Sequence, residues 1–146
     1  MKNKLLRAVL LLLCILIFVL YGCERQAPAP SSSSEEPEAI ARTEFTDRIE
    51  NFFEYEPLHA GKASQVRIHL TDLSDGSPVE KAEVTLTVRR SGETNSLLQT
   101  TAKIGKVTGI YVAELNIPQP GGYDVEFHVK NPKLDERLPL TDFKVE

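Results

Sequence analysis

Between Ala82 and Arg89 the chain alternates strictly. Ala82, Val84, Leu86 and Val88 are apolar, and Glu83, Thr85, Thr87 and Arg89 between them are polar. A period of two belongs to an extended strand with one buried face and one wet face, because successive side chains leave a strand on opposite sides. The pattern recurs. Val66, Ile68 and Leu70 alternate with Arg67, His69 and Thr71, and Tyr123, Val125, Phe127 and Val129 alternate with Asp124, Glu126, His128 and Lys130. Tyr111, Ala113, Leu115 and Ile117 form a run that ends at Pro118. Phe45, Ile49, Phe53 and Tyr55 share one parity and are expected to form a first strand. Leu98, Thr100, Ala102 and Ile104 give a weaker one. Leu138 and Leu140, then Phe143 and Val145, give a last strand whose parity changes, as at a β-bulge. Turn residues separate the runs: Ala60-Gly61-Lys62, Ser74-Asp75-Gly76-Ser77-Pro78, Ser91-Gly92, Pro120-Gly121-Gly122 and Asn131-Pro132. Beyond residue 42 no stretch shows apolar residues at helical spacing with caps. About seven short strands in about 100 residues predict an all-β, immunoglobulin-like sandwich of two sheets over residues 43–146. Gly121-Gly122-Tyr123 has the spacing of a tyrosine corner. No edge is visibly blocked, which leaves an edge strand as a place for a partner to pair.

The beginning of the chain differs in kind. Lys2, Lys4 and Arg7 precede an apolar run of 14 residues, Ala8 to Tyr21. Crossing roughly 30 Å of hydrocarbon takes about 20 helical residues, so the run is short for a permanent span and suits the apolar core of a cleavable secretory signal. Leu20-Tyr21-Gly22-Cys23 follows and resembles the lipobox of bacterial lipoproteins, with an aliphatic residue at −3, a small one at −1 and then cysteine. The resemblance implies cleavage between Gly22 and Cys23. It also implies diacylglycerol on the Cys23 sulfur and an acyl chain on its amine. Several chains at about 0.8 kcal/mol per buried methylene anchor durably. A plain signal anchor with an incidental cysteine is the alternative. Residues 23–42 would then be a tether, since Gln26 to Glu38, QAPAPSSSSEEPE, cannot bury apolar surface. Glu24 rather than Asp follows the cysteine, which allows sorting to the outer membrane, slightly favoured over the inner. The expected place is the cell envelope, with the domain in the periplasm.

Charge and cysteine use fit that setting. Removing residues 1–22 takes away three bases and no acid, leaving 14 basic against 21 acidic residues, a net charge of −7. An acidic chain without a basic cluster repels phosphate backbones, so nucleic acid is excluded as a partner. The only cysteines are Cys14 and Cys23. The first would leave with the signal and the second would carry lipid, so the mature domain would have neither a disulfide nor a catalytic thiol.

A second resemblance rests on longer stretches. Phe53-Glu54-Tyr55-Glu56-Pro57-Leu58-His59-Ala60-Gly61 leads into Val66-Arg67-Ile68-His69-Leu70-Thr71-Asp72-Leu73. Gly76-Ser77-Pro78-Val79, Ala82-Glu83-Val84-Thr85-Leu86, Gly109-Ile110-Tyr111 and Pro120-Gly121-Gly122-Tyr123 follow. Together they resemble the N-terminal β-sandwich domain of periplasmic adaptor (membrane-fusion) subunits in heavy-metal-type RND efflux pumps. More loosely, they are similar to FixH-like and YtkA-like periplasmic domains, which share the Pro-Val-x-x-Ala-x-Val and Gly-x-Tyr pieces. The lipoyl-like, hairpin and barrel parts of a working adaptor are not found in this sequence. The resemblance implies an accessory role beside a cation-efflux system, with pump or channel subunits as partners.

Candidate sites are few. His69 and His128 fall on the wet faces of strands expected in different sheets, more than roughly 10 Å apart. They cannot share an ion whose bonds to nitrogen are about 2.0 Å. His59 with His69, helped by Glu56, remains the candidate metal pair. Copper sites favour thiolate or thioether, which residues 24–146 lack. Glu54 with Glu56, and Asp72 with Asp75, are acid pairs that could act in hydrolysis or hold calcium, but solvated loop acids are the common case. Ser31 to Ser34 lie in the tether, where no base is held against them. Tyr55, Tyr111 and Tyr123 are expected in the core or at a corner. The chain is therefore read as a non-catalytic interaction domain without a cofactor beyond its lipid. A periplasmic metal-delivery lipoprotein and a structural envelope lipoprotein unrelated to transport are the alternatives.

Overall fold

The computed structural model describes residues 38–146, so the expected signal peptide, the expected cleavage at Gly22–Cys23 and most of the expected tether lie outside the described residues. Nine strands follow in order: β1 (Ile40–Phe45), β2 (Ile49–Tyr55), β3 (Ala63–Asp72), β4 (Glu83–Arg90), β5 (Ser96–Thr101), β6 (Lys103–Ile104), β7 (Ile110–Asn116), β8 (Gly121–Lys130) and β9 (Asp135–Val145). They form two antiparallel sheets, β1-β2-β3-β7-β6 and β5-β4-β8-β9. The architecture is the expected immunoglobulin-like sandwich with more strands than the alternation suggested. Glu35–Glu146 is a compact unit.

The alternating apolar residues supply the core. Ile49, Phe53, Val66, Ile68, Leu70, Tyr111 and Leu115 face inward from the first sheet, and Val84, Leu86, Val88, Tyr123, Val125, Phe127 and Phe143 from the second. Phe53 and Phe127 meet across the gap with ring centroids 4.8 Å apart. Burying one such ring contributes about 1.5–3 kcal/mol.

Three local outcomes differ from, or sharpen, the sequence reading. Phe45 does not continue into the strand of Ile49, Phe53 and Tyr55. The chain reverses at Thr46–Arg48, β1 pairs back on β2 with Phe45 opposite Glu50, and Phe45 faces outward at 63% exposure. The turn contains no glycine or proline. Thr46 builds it instead, its Oγ1 accepting from the amides of Arg48 and Ile49, each at 3.1 Å. The run from Leu98 to Ile104 is not one strand either. It leaves the second sheet after Thr101 and joins the first at Lys103, with Ala102 buried at the crossing. The parity change in the last strand is a bulge, as expected: Tyr123 opposes Phe143 but Val125 opposes Leu140, and Asp142 there takes φ 69°.

The sandwich has two distinct ends. Ile40, where β1 starts, lies opposite Tyr55 at one end, and Phe45, Asp72 and Ile110 lie at the other. Near its first end the sheets are clasped by a parallel bridge between Leu58 and Val145, with Glu146 N–H donating to Leu58 O at 2.8 Å. Between edge strands β1 and β9, Arg42 closes the open side. Its Nη2 lies 2.9 Å from Glu44 Oε1, its Nη1 lies 3.1 Å from Asp142 Oδ1, and its guanidinium sits 5.2 Å from the Phe143 ring centroid.

Candidate interaction surface

The residues behind the adaptor-like motifs turn out to hold the scaffold together. Leu70 N–H donates to Gly109 O and Val79 N–H donates to Leu70 O, both at 2.9 Å. The Tyr111 hydroxyl, buried, donates to Val79 O at 2.8 Å and accepts from Ala82 N–H at 3.0 Å. Gly109 sits at φ 79°, and a β-carbon there would fall 2.5 Å from Pro78 Cβ. A side chain fits neither the backbone nor the space. Pro-Val-x-x-Ala and Gly-x-Tyr are thus two halves of one interlock between the β3–β4 loop and β7. The third motif is a tyrosine corner, as its spacing predicts: Tyr123 donates its hydroxyl to Gln119 O at 2.8 Å.

The candidate metal pair is not brought together. His59 is exposed in the loop before β3, at the end where β1 begins. His69 lies six residues along β3 from Ala63, about 20 Å at strand rise. That separation rules out one ion between them. His69 instead stands edge-on to Phe52, centroids 5.3 Å apart, and its buried Nε2 is 3.9 Å from Glu54 Oε2, too far for a hydrogen bond. His128 is on the other sheet, as expected, with Nε2 2.7 Å from Asp135 Oδ1. This hydrogen bond is the main reason the Asp135 carboxyl titrates below its ordinary value. Among the described residues no three His, Cys, Asp or Glu side chains gather as a metal site. Asp72 and Asp75 shape their turn: Asp72 accepts the Ser74 hydroxyl at 2.6 Å and Asp75 accepts the Ser77 amide at 2.9 Å. Hydrogen bonds from those serines lower both carboxyl pKa values.

What sets one region apart is the contrast between the two outer faces. On the second sheet ion pairs tile the surface: Arg137 with Glu126 at 2.8 Å, Arg89 with Glu126 at 4.0 Å, and Lys130 with Asp135 at 3.8 Å. The outer face of the first sheet carries the Arg67–Glu54 pair at 3.7 Å, and beside it the row Thr43–Phe52–His69–Ile110 runs across β1, β2, β3 and β7, with the ring of Phe52 half-covered. Val112 flanks it beside Arg67. Toward the end away from Ile40, Phe45, Leu73 and Val107 are 63%, 45% and 61% exposed. Sequence reasoning missed this surface because it ran Phe45 into one strand with Ile49, Phe53 and Tyr55. The Thr46-Asp47 pair, a polar turn signal inside the assumed first strand, is the clue that could have found it.

Residues 46–128, more than half of the chain, match the YtkA-like family. The match begins in the turn before β2 and covers the whole interlock. No curated protein and no solved structure matches the chain.

Proposed function

The chain belongs to the YtkA-like family, and from that premise we propose that it is a non-catalytic interaction domain of the cell envelope. It is held to a membrane through lipid on Cys23 and docks an envelope protein on the outer face of its first sheet. The observation that carries this reading is the contrast of faces. Several ion pairs keep the second sheet hydrated, while the first sheet, beside its Arg67–Glu54 pair, offers Phe45, Phe52 and Ile110 as aromatic and aliphatic surface of the kind enriched where proteins meet. The adaptor-like motifs support a finer assignment, an accessory to a cation-efflux system. Metal delivery through His59 and His69 has the length of β3 against it.

A photo-crosslinking residue placed at Thr43 or Ile110 in intact cells tests the face. It should capture one envelope protein, whereas the same residue at Thr87 on the second sheet should not. Equal capture from both faces, or none from either, would remove the docking face. Recovery of pump or channel subunits supports the efflux association, and recovery only of proteins unrelated to transport defeats it. Labelled palmitate should enter the protein and be lost in Cys23→Ser; labelling that survives the substitution would remove the anchor.

A further inference from the structure

β1 is held differently from the strands around it. Its large apolar side chains, Ile40 and Phe45, are exposed, and none of its residues is fully buried. It pairs with β2 alone. What it sends inward is Arg42, held by two partly exposed ion pairs and by the rings of Phe53 and Phe143. Solvent weakens such ion pairs. β5 and β6 are no better covered, but each is joined at both ends to other strands of the sandwich. One end of β1 leads out of the domain. Beside it lies an uncompensated group. Asn51 is 0% exposed, and among the described residues neither its Oδ1 nor its Nδ2 finds a partner. Glu44, opposite it on β1, turns its carboxylate to Arg42. A side-chain amide buried without partners opposes the closed state, and water relieves it once the flank of β2 opens.

From these observations we infer that β1 is a releasable strap: it lifts from β2 as a unit while β2 to β9 stay folded, and the chain it frees lengthens the tether. The inference rests on the anchored reading proposed above. Closed, the tether meets the sandwich at Ile40, opposite Tyr55. Open, the nine residues from Ile40 to Arg48 join the tether and add about 30 Å of reach at about 3.4 Å each. The attachment then moves to Ile49, at the other end of β2. The domain thereby exchanges the end from which it hangs. Release pulls no large apolar side chain of β1 out of the core, since none is there. The bonds given up follow a fixed parity. Thr46 N–H donates to Ile49 O, and bonded pairs alternate in an antiparallel ladder, so Glu44 is bonded to Asn51 and Arg42 to Phe53. Leu73 N–H donates to Arg48 O, so Glu50, Phe52 and Glu54 point their amides at β3 instead.

Residue-resolved hydrogen exchange by NMR, on the full chain in detergent micelles, tests the strap. Corrected for intrinsic rates, the amides of Asn51 and Phe53 should exchange at least about tenfold faster than those of Phe52 and Glu54 on the same strand, because only the first two depend on β1. Arg42→Ala should speed Asn51 and Phe53 by about tenfold more and leave Phe52 and Glu54 unchanged. Asn51→Leu, which buries no unpaired amide, should slow Phe53. Equal rates at the two parities overturn the inference. So does a difference between parities that neither substitution moves. Exchange reports on β1 whether or not Cys23 carries lipid. Equal rates would therefore remove the strap and leave the anchor standing, and failed palmitate labelling would do the reverse.

Discussion

The Tyr111 hydroxyl makes two buried hydrogen bonds to residues 29 and 32 positions away. Removing it strands a buried N–H and a buried C=O. Tyr111→Phe should therefore cost about 1–3 kcal/mol in chemical denaturation. Tyr123→Phe, whose hydroxyl is only part-buried, should cost less. Equal losses would mean that the interlock has no special weight. The sequence displayed the motif letters without their purpose, because a contact spanning some thirty residues leaves no periodic trace. His128 and Asp135 make a case that titrates. The Asp135 carboxyl has its pKa lowered from 3.8, first by its hydrogen bond to His128. A carboxyl with a lower pKa folded than unfolded stabilises the fold above the unfolded value, and that contribution is lost as pH falls through the folded one. Carbon-detected NMR should place the Asp135 midpoint below 3.8 in the parent and return it toward 3.8 in His128→Ala. An unchanged midpoint would assign the shift to Lys130 or Arg137 instead.

Among elements, β3, β4, β7 and β8 were legible because each buries one face and wets the other. The edges were not. β1 has neither face fully covered, so its alternation carries little hydropathy contrast, and its turn is marked only by Thr46-Asp47, without glycine or proline. The crossing at Ala102 keeps parity while changing sheets, which a pattern of two cannot reveal. Arg42 was unremarkable in the sequence and proves to join the edges. Truncating Arg42 to alanine removes contacts to two aromatic rings and two partly exposed ion pairs, which solvent already weakens. We expect a loss of about 1–2 kcal/mol, mostly from ring contacts and packing. Lysine should restore only part of it, since an ammonium lacks the planar guanidinium that lies against the Phe53 and Phe143 rings. Burial raises the Tyr55 pKa and Arg42 opposes the rise, so the same variant should push the Tyr55 midpoint higher in an ultraviolet titration. A fall would show that Arg42 does not face that phenol.

For the molecule as a whole, the fold was readable and the proposed docking face was not, since the latter depends on one hairpin reversing where the pattern suggested continuity. Phe45, expected on the parity of Ile49, Phe53 and Tyr55, stands on the surface instead, and with it shifts the balance between the two outer faces. The histidines separate for a related reason: a strand of ten residues is long compared with any coordination sphere.

The position of β1 has a mechanical meaning. The preceding chain reaches the sandwich at Ile40 and continues straight into a strand that runs to Phe45 alongside β2. A tug from that side, with the far end gripped, acts along the strand. It loads the rungs between β1 and β2 in parallel and the Arg42 clasp with them, instead of opening rungs one at a time from a free tip. Tension would be borne in shear.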